Sequence, residues 1–588
     1  MLHIFAIIAK VIHNINVTNM QKQLFGVALV STVMLASCST KTGVISAPSG
    51  DIRLNQCGYM IGTEKMAFSV TPVDSFYVRS SEGKIVFRGK AEAPAFWSDA
   101  NDTIQRMVFT SLDTEGTYYI ETDETTRSYS FAICTNPYDK VCIDAVRALY
   151  YNRSGMAIDS VYATGPWARP SGHPDTSVMI HKSAASASRP EGTIISSPLG
   201  WYDAGDYNKY IVNSSITTYT MLLAAYMNQE MAKTTNLNIP ESNNSIADII
   251  DETLYNLRWM LTMQDPEDGG VYHKLTTLSF EGFIMPHECQ KQRYVVAKGT
   301  AAALDLAATA AMAYRTLPTW GEELKPLADS CLAVAVKAYT WAEANPNVIF
   351  RNPEDVSTGE YGDFSFEDEW FWASVEMMLA TGQKKYANNV AKYSQSYGVP
   401  TWGGVGFLGH SSLALASDET SYNGIVAKES VVALADSLLA KEQLSPISLS
   451  LEKYDWGSNS SIANEGMVKL IAQRLTGESK YYDSALNDLH YILGRNGTGY
   501  SYVTGSGSKQ SMHPHHRPSS ADGVEMPVPG FLIGGPNLVA PSDCEVSNRG
   551  KYPATAYGDE ECSYSTNEIA INWNAPLVFL SWGVCASR

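Results

Sequence analysis

Basic residues are scarce in this chain of 588 amino acids. Its 43 lysines and arginines face 61 aspartates and glutamates, which gives a formal net charge of −18 at pH 7. A protein that binds nucleic acid or an anionic membrane surface needs a basic face, so this balance argues against both kinds of partner. A neutral polymer meets no such electrostatic objection.

Cysteine is sparse and unclustered. The chain has nine cysteines, and no two of them have the Cys-X-X-Cys spacing of a zinc or iron–sulfur site. We therefore expect structural thiols with one or two disulfides rather than a metal cluster held by cysteine.

Long apolar runs are also rare. The run Leu24–Ser37 is too short for a comfortable membrane span, follows a basic stretch around Lys22 and ends in LASC, Leu35–Cys38. LASC resembles the cleavage box of bacterial lipoproteins. We predict a signal peptide over residues 1–38, with Met20 as the alternative start, lipidation of Cys38 and a polar tether over residues 39–50. The protein is then expected on the bacterial outer membrane, facing the cell surface or the periplasm, with the lipid anchor as its membrane contact.

Two patterns of secondary structure follow one another along the chain. Residues 51–135 contain short strand-like runs such as KMAFSV, SFYVRS and KIVFRG, separated by Gly, Asp, Asn and Ser. This spacing predicts a small all-β sandwich. Residues 136–588 are mainly helical in period, and periodicity alone predicts a large all-α domain. The predicted helices are Lys140–Asn152, Thr217–Asn228, Ile246–Gln264, Lys298–Arg315, Leu324–Ala344, Glu367–Thr381, Lys384–Tyr393, Glu429–Ala440, Ser461–Leu475, Lys480–Leu493 and Glu568–Trp582.

Two aspartates stand close together in GWYDAGDYNKYIV. Asp203 and Asp206 flank Ala204 and Gly205, which are small enough to let a turn close and aim both carboxylates at one point. Two such groups can hold and deprotonate one water molecule. The alternatives for an Asp-Ala-Gly-Asp turn are helix capping and calcium binding.

A second acidic stretch, YGDEECSYSTNEIAINWNAP, lies near the C-terminus. It places Asp559 and Glu568 among aromatic residues such as Tyr564 and Trp573. Partial desolvation and neighbouring negative charge both keep a carboxylic acid protonated, so we predict that Glu568 is a general acid. Asp559 is predicted to act on the electrostatics of Glu568 or to bind a hydroxyl group, the alternative being a solvated surface carboxylate. A base and an acid are what hydrolysis of a glycosidic bond requires.

These segments and the histidine-rich stretch SYVTGSGSKQSMHPHHR, Ser501–Arg517, resemble the signatures of glycoside hydrolase family 9. The resemblance implies an (α/α)6 barrel over residues 136–588. It also implies an immunoglobulin-like module over residues 51–135, which we expect to act as a structural brace rather than to bind sugar. In the inverting mechanism of this family, Asp206 matches the catalytic base, Asp203 helps to position the same water, and Glu568 matches the proton donor.

Further residues are assigned to the cleft by the same resemblance. His515 and Arg517 match family cleft residues that offer donors to sugar hydroxyls. Tyr564, Trp201 and Tyr207 are predicted to bind substrate, because pyranose rings stack on flat apolar surfaces. The alternative for MHPHHR is a zinc site, although adjacent histidines usually point apart.

No cofactor is expected for the chemistry, and a structural calcium ion is the metal the resemblance suggests. The stretch TGEYGDFSFEDEWFWA resembles the calcium-associated region of the family, with Asp363, Asp368 and Glu369 as ligands. These charges could instead cap the helix that begins near Glu367. The zinc site of some relatives is doubtful here, because residues 155–200 contain no cysteine.

The predicted function is an inverting endo-β-1,4-glucanase that acts as a monomer. An anchored enzyme cannot travel into a crystalline fibre and no cellulose-binding module follows the barrel, so soluble plant β-glucans are expected as substrates, with xyloglucan favoured. One alternative is an exo-acting glucosidase or glucosaminidase, whose cleft the long loop Gly155–Leu199 would block. The other is a non-catalytic glycan-binding lipoprotein, which should have lost one of Asp203, Asp206 and Glu568.

Overall fold

A computed structural model describes residues 47–416, 422–545 and 549–587. The signal peptide, Cys38 and most of the tether lie outside these residues, so the lipoprotein assignment stays a prediction. No helix in the described ranges is long and apolar enough to cross a membrane.

The N-terminal part is a two-sheet β-sandwich, as the sequence predicts. One sheet has the strand order β1-β3-β7-β6 and the other β2-β9-β8-β4-β5. Aromatic side chains such as Tyr59, Phe76, Phe109 and Phe131 fill the core between them. The strands are β1 (Ile52–Arg53), β2 (Tyr59–Met60), β3 (Met66–Ser69), β4 (Ser75–Ser80), β5 (Ile85–Lys90), β6 (Ala95–Trp97), β7 (Asp102–Val108), β8 (Gly116–Glu121) and β9 (Phe131–Cys134).

The rest of the described chain is built on helices. They are α1 (Asp139–Tyr151), α2 (Ser160–Ala163), α3 (Ile211–Met227), α4 (Gln229–Thr234), α5 (Asp248–Thr262), α6 (Thr300–Thr316), α7 (Lys325–Ala344), α8 (Glu367–Thr381), α9 (Lys384–Tyr393), α10 (Gly406–Ala416), α11 (Tyr422–Leu444), α12 (Ser458–Thr476), α13 (Ser479–Ile492), α14 (Arg517–Ala521), α15 (Tyr564–Asn567) and α16 (Ile571–Ala586).

Six of these helices form a closed inner ring. Helix α3 packs on α6, α6 on α8, α8 on α10, α10 on α12, α12 on α16, and α16 returns to α3. Outside the ring, α5, α7, α9 and α13 pack on α3, α6, α8 and α12, while α11 packs on α10 and α12, and α1 on α16. The predicted (α/α)6 barrel is confirmed.

Sequence explains which helices lie inside. Helix α6, TAAALDLAATAAMAYRT, is buried on nearly every face, and its alanines let neighbouring helices approach closely. Helix α9, KKYANNVAKY, buries only Tyr386 and Val390 and therefore needs a single partner face.

The candidate site lies at the end of the barrel where the inner helices begin. The aspartate turn precedes α3 and Glu568 precedes α16. Tyr361, whose hydroxyl donates to Asp203 at 3.0 Å, precedes α8. A third sheet joins the segments before α3 and α6, in the order β11-β10-β14-β13-β12. Its strands are β10 (Val178–Ile180), β11 (Ile194–Ile195), β12 (Lys209–Tyr210), β13 (Lys274–Thr276) and β14 (Tyr294–Val295).

The last helix begins later than the sequence predicts. Glu568 was assigned to its first residue, whereas the helix starts at Ile571 and Glu568 has extended backbone angles. Residues 568–570 instead pair with other chain segments, and these long-range hydrogen bonds outweigh local helical preference. Helix α10 was missed because GFLGHSSLALA carries glycines and serines that lower helix propensity.

The sandwich holds the loop that leads to the histidine motif. The Gln56 side chain donates to the Gly499 carbonyl at 2.8 Å and accepts from the backbone N–H groups of Ser508 and Lys509 at 2.9 and 2.7 Å. Arg106 donates to the carbonyls of Ser445 and Pro446 on the barrel. These contacts support the predicted role of the module as a brace.

We predict that Gln56→Ala lowers the free energy of unfolding by about 2–3 kcal/mol, because it leaves the N–H groups of Ser508 and Lys509 without a partner. Urea denaturation at fixed pH measures the change. Gln443→Ala, at an exposed position on α11, is the matched control and should shift stability little. Equal stability of the two variants would contradict the bracing role.

Candidate active site

Backbone pairing brings the two acidic segments together. Ala204 and Ala570 form an antiparallel bridge, and the Ile571 N–H donates to the Asp203 carbonyl at 2.8 Å. On the other side, Glu568 pairs with His515 in a parallel bridge, and its carbonyl accepts from Gly534 N–H at 2.8 Å. Segments more than 350 residues apart in sequence are thereby fixed side by side.

Gly205 makes this approach possible. A Cβ atom at this position would lie 2.4 Å from the His515 carbonyl oxygen and 3.2 Å from Glu568 Oε1. The first distance is a severe clash, so a side chain here would push the aspartate turn away from Glu568. The small residues of the Asp-Ala-Gly-Asp turn are needed for contact between segments as well as for the turn itself.

Asp206 is anchored through one of its two oxygens. Oδ2 accepts from Tyr210 O–H at 3.1 Å and from the side-chain amide and backbone N–H of Asn208. Among the described residues no group donates to Oδ1, which is therefore available to a water molecule. This arrangement suits a general base.

Asp203 is buried next to it. Both of its oxygens accept from Asn213 Nδ2, at 2.9 and 3.0 Å, and Oδ2 also accepts from Tyr361 O–H at 3.0 Å. Burial and the negative charge of Asp206 raise the pKa of Asp203 to about 8, while the hydrogen bonds from Asn213 and Tyr361 act in the opposite direction.

Glu568 has the electrostatics of a proton donor. Desolvation, followed by the charges of Asp206 and Asp203, raises its pKa to about 8. A hydrogen bond from the Gly205 backbone and the charge of Arg517 oppose this shift. The carboxyl group therefore holds its proton at neutral pH, as a general acid must.

His515 lies beside Glu568, and one of its ring nitrogens is hydrogen-bonded to the backbone. Its Nδ1 is 2.7 Å from the Glu561 carbonyl, and a carbonyl can only accept, so Nδ1 carries the proton. Burial lowers the pKa of His515, which favours the neutral ring. The sequence predicts a donor to sugar hydroxyls, whereas this tautomer leaves Nε2 as an acceptor.

Two residues that the sequence assigns to the site, Asp559 and Arg517, form hydrogen bonds to backbone groups. Asp559 accepts from the N–H groups of Met512 and His513 at 2.9–3.0 Å and so fixes the loop before His515. Arg517 donates to the carbonyls of Gly205, at 2.5 Å, and Glu281, at 3.0 Å. The structure gives both a positioning role, and their direct part in catalysis or sugar binding stays a prediction.

The assignment of Trp201 and Tyr207 to substrate binding is wrong. Trp201 has no exposed surface, and its indole N–H donates to Glu252 at 2.8 Å. Tyr207 is 2% exposed, and its hydroxyl donates to the Ile284 carbonyl at 2.7 Å. Both side chains are buried in the core next to the aspartate turn, so they support this turn and are not exposed to substrate.

Other aromatic residues face the cleft. A cavity of about 850 Å³ begins at Tyr361, the donor to Asp203, and is lined by Trp402, Trp456 and Trp573. Trp456 is 41% exposed, and its ring lies 5.5 Å from that of Tyr564, which is 38% exposed. The predicted placement of Tyr564 at the substrate is consistent with this exposed position.

A second aromatic group lies outside that cavity, next to His515. The exposed ring of Phe283 meets the His515 imidazole edge to face at 5.2 Å. Phe280, also exposed, comes from the same loop, and the Arg517 guanidinium lies 5.6 Å from its ring centroid. Aromatic surface is thus present in two separate places around the carboxyl groups.

A buried polar network fixes the base. Asn208, which donates to Asp206, accepts through Oδ1 from Thr276 Oγ1 at 3.1 Å and Thr277 N–H at 3.0 Å. Thr276 contacts Thr358, to which Lys274 Nζ donates at 2.9 Å. Lys274 thereby ties the loop that carries Tyr361 to the strand behind the aspartates.

The predicted calcium ligands lie at the start of α8. Asp363 accepts from the Ser365 N–H at 3.0 Å and Asp368 from the Val405 N–H at 2.7 Å, while Glu369 is wholly buried. Within the described ranges, no three side chains of His, Cys, Asp or Glu are placed to hold a metal ion. The ligand assignment therefore stays a prediction.

Comparison with known sequences decides the family. Residues 138–581 match the profile of glycosyl hydrolase family 9, and residues 47–127 match the cellulase N-terminal immunoglobulin-like domain. The chain belongs to glycosyl hydrolase family 9. The resemblance seen in the sequence is thus confirmed, and the catalytic roles of the three carboxyl groups stay a prediction.

Relatives of this family 9 chain cover nearly its whole length. It is 40% identical over 569 residues to the xyloglucan-specific endo-beta-1,4-glucanase BoGH9A of Bacteroides ovatus, covering 93% of this chain and 95% of that one. Endoglucanase D of Acetivibrio thermocellus is 33% identical, with coverage of 90% and 82%. A solved Bacteroides ovatus GH9 structure superimposes with a TM-score of 0.86 at 39% identity, covering 92% and 100%.

The sequence analysis did not assign several residues that the structure places at the site. Asn208 and Tyr210 stand inside the aspartate motif, and Asn213 follows three residues later, so their proximity was a usable signal. Tyr361 and Lys274 are 158 and 68 residues from the aspartates they serve. Nothing local marks these two, because only the fold brings them to the site.

We predict that Glu568→Gln lowers turnover by several powers of ten, because an amide cannot protonate the leaving oxygen. In the wild type, activity should fall as pH rises through about 8, where Glu568 loses its proton. Initial rates on a soluble β-glucan between pH 4 and pH 10 measure both effects.

The same substitution should stabilise the fold in alkaline solution. The pKa of Glu568 is raised in the folded state, so the folded protein binds more protons than the unfolded chain and stability falls as pH rises toward 8. The gain in melting temperature of Glu568→Gln should therefore grow over this range. Glu560→Gln, at an exposed neighbour, should change neither activity nor this slope. A correctly folded Glu568→Gln variant that keeps wild-type turnover would overturn the assignment of Glu568 as the general acid.

Proposed function

We propose that the protein is an inverting endo-β-1,4-glucanase that cleaves soluble plant β-glucans, with xyloglucan as the preferred substrate. The observation that carries the proposal is the assembly of Asp203, Asp206 and Glu568 next to an aromatic-lined cleft. A decayed, non-catalytic glycan-binding protein has no need to keep three carboxyl groups together at an electrostatic cost.

The proposed mechanism of hydrolysis uses side-chain atoms that have no hydrogen-bond donor or acceptor among the described residues, such as Asp206 Oδ1. Asp206 Oδ1 takes a proton from a water molecule whose oxygen attacks the anomeric carbon on one face of the sugar. Glu568 gives its proton to the glycosidic oxygen as that bond breaks on the other side. Asp203 helps to hold the same water, and His515 Nε2 accepts from a sugar hydroxyl. Single displacement inverts the anomeric configuration.

Internal cleavage is supported by the surroundings of the carboxyl groups. Aromatic side chains flank them in two places, the cavity of Trp402 and Trp456 and the loop of Phe280 and Phe283. The loop Gly155–Leu199, the candidate for blocking the cleft, contributes no residue to the cavity lining. Its Asp175 pairs with Lys209 at 2.8 Å and Arg293 at 3.0 Å, which places it behind the aspartates.

The choice of xyloglucan rests on similarity to the Bacteroides ovatus enzyme and on charge. A chain with a net charge of −18 favours a neutral polymer over an anionic one. We propose in addition that a lipid anchor at Cys38 keeps the enzyme at the membrane and directs it toward hydrated glucans.

The test is a timed product profile on tamarind xyloglucan, barley mixed-linkage glucan and carboxymethyl-cellulose, with Glu568→Gln as the inactive control. We expect a rapid fall in viscosity, mixed oligosaccharides and the highest rate on xyloglucan. Proton NMR of the first products should show the α-anomer. Release of monosaccharide without a fall in viscosity would replace the endo mode by an exo mode, and an equal rate on all three would remove the xyloglucan preference.

We also propose that a structural calcium ion binds at the start of α8. Asp305 on α6 is fully buried, and neither of its carboxylate oxygens has a hydrogen-bond partner in the described part of the chain. Burial and the charges of Asp305 and Asp368 hold the pKa of Glu369 well above its usual range. Carboxylate oxygens are the ligands that calcium prefers. In the described structure these carboxylates are not placed to hold a metal ion, so calcium would draw Asp305, Asp363, Asp368 and Glu369 together and support the loop of Tyr361.

Calcium should raise the melting temperature of protein that has been stripped with EGTA, because the ion binds the folded state only. Asp305→Asn should lose most of this rise, whereas Asp329→Asn, at an exposed position on α7, should keep it. Differential scanning calorimetry with and without 1 mM added calcium, roughly ten times a weak-site dissociation constant, measures the shift. An unchanged melting temperature in the wild type would rule the site out.

A further inference from the structure

Two cysteines meet where the first outer helix packs on the last inner helix. Cys142 lies on α1, the first outer helix, and Cys585 lies near the end of α16, the last inner helix. Their Sγ atoms are 3.2 Å apart although 443 residues separate them in sequence. Both are free thiols. Among the described free cysteines, this is the pair whose sulfur atoms lie within hydrogen-bonding distance.

The helices around this pair are held in register. The Trp582 indole N–H donates to the Cys142 carbonyl at 3.0 Å, one turn before Cys585. Farther along, Asn574 Nδ2 donates to the Ala145 carbonyl at 2.5 Å. Because hydrogen bonds fix both backbones, the sulfur contact is a defined feature of the packing.

The two thiols differ in access. Cys142 is buried, whereas Cys585 is partly exposed and lines a depression of about 910 Å³ at the end of the barrel opposite the carboxyl groups. Ends of α3 and α12 complete its wall. Contact with Cys585 and burial raise the pKa of the Cys142 thiol. Because Cys585 is the more exposed of the two, an oxidant reaches it first.

We propose that Cys142 and Cys585 form a second disulfide, which joins α1 and α16, the first and last long helices of the barrel, and locks them together. The chain already carries the Cys544–Cys562 disulfide, so it meets a thiol oxidant when it folds. The oxidant is a disulfide, either of a thiol–disulfide oxidoreductase or of glutathione.

The reaction is two successive exchanges. The Cys585 thiolate attacks the oxidant disulfide and releases one of its sulfurs as a thiol, which leaves a mixed disulfide on Cys585. The Cys142 thiolate then attacks Cys585 Sγ and releases the second thiol. Two cysteine thiols lose two electrons and two protons, and one disulfide of the oxidant is reduced to two thiols.

The cross-link should act on stability and leave catalysis alone. It closes a very long loop and so restricts the unfolded chain more than a short-range disulfide does. Its position at the opposite end of the barrel predicts unchanged turnover in Cys585→Ser at 25 °C.

The test treats the folded full-length protein with oxidised glutathione, blocks remaining thiols with iodoacetamide under denaturing conditions and maps peptides without reduction. We expect a linked peptide pair containing Cys142 and Cys585. In Cys142→Ser the attack stops at the first step, so a glutathione adduct on Cys585 is expected. A wild-type protein in which both thiols are alkylated, or in which the adduct on Cys585 persists, overturns the proposal.

Thermal scans at one heating rate supply the second readout. The oxidised wild type should melt roughly 3–5 °C above the oxidised Cys142→Ser/Cys585→Ser variant, because both keep the Cys544–Cys562 bond and differ only in the new link. Cys331→Ser, which removes a lone buried thiol on α7, is the control and should keep the linked peptide pair. Equal melting temperatures of the oxidised wild type and the double variant would contradict a locking role.

Discussion

Three carboxyl groups in one poorly hydrated site set the main constraint on this structure. Asp203, Asp206 and Glu568 repel one another when ionised, and burial makes the repulsion stronger. The fold tolerates this cost because the site is built from backbone pairing, the Ala204 to Ala570 bridge and the His515 to Glu568 bridge. Burial and this repulsion raise the pKa of Glu568 and keep its proton in place, so the feature that destabilises the fold is also the one that a proton donor needs.

The barrel explains how such a site can be held rigid. Every inner helix begins at the same end, so six loops converge there. A third sheet joins the loops before α3 and α6, and the Lys274 network joins them to the loop before α8. The β-sandwich adds support from outside through Gln56, which holds the loop leading to His515. Residues far from the chemistry are thus connected to it through hydrogen bonds that can each be removed separately.

The residues around the site are of two kinds, those that line the cleft and those that position the backbone around it. Asp559 and Arg517, which the sequence motifs make conspicuous, hold the backbone of the histidine loop and the aspartate turn. Of the three tryptophans that line the cavity, Trp402 and Trp456 lie outside the motifs, whereas Trp573 lies within the acidic motif. The motifs therefore mark the framework and the carboxyl groups but only part of the aromatic surface.

The sequence by itself determined the two-domain order of strands and helices and, through family resemblance, the (α/α)6 barrel, and it predicts the acid and the base. These follow from local periods and short motifs, in which neighbouring residues carry the signal. Only the tertiary structure decided that Trp201 and Tyr207 face the core, that Glu568 lies on an extended segment, and that Tyr361 and Lys274 serve the aspartates. Which way a side chain points, and how strongly its charge is desolvated, depends on contacts between residues tens to hundreds of positions apart. Such contacts leave no local pattern in the sequence.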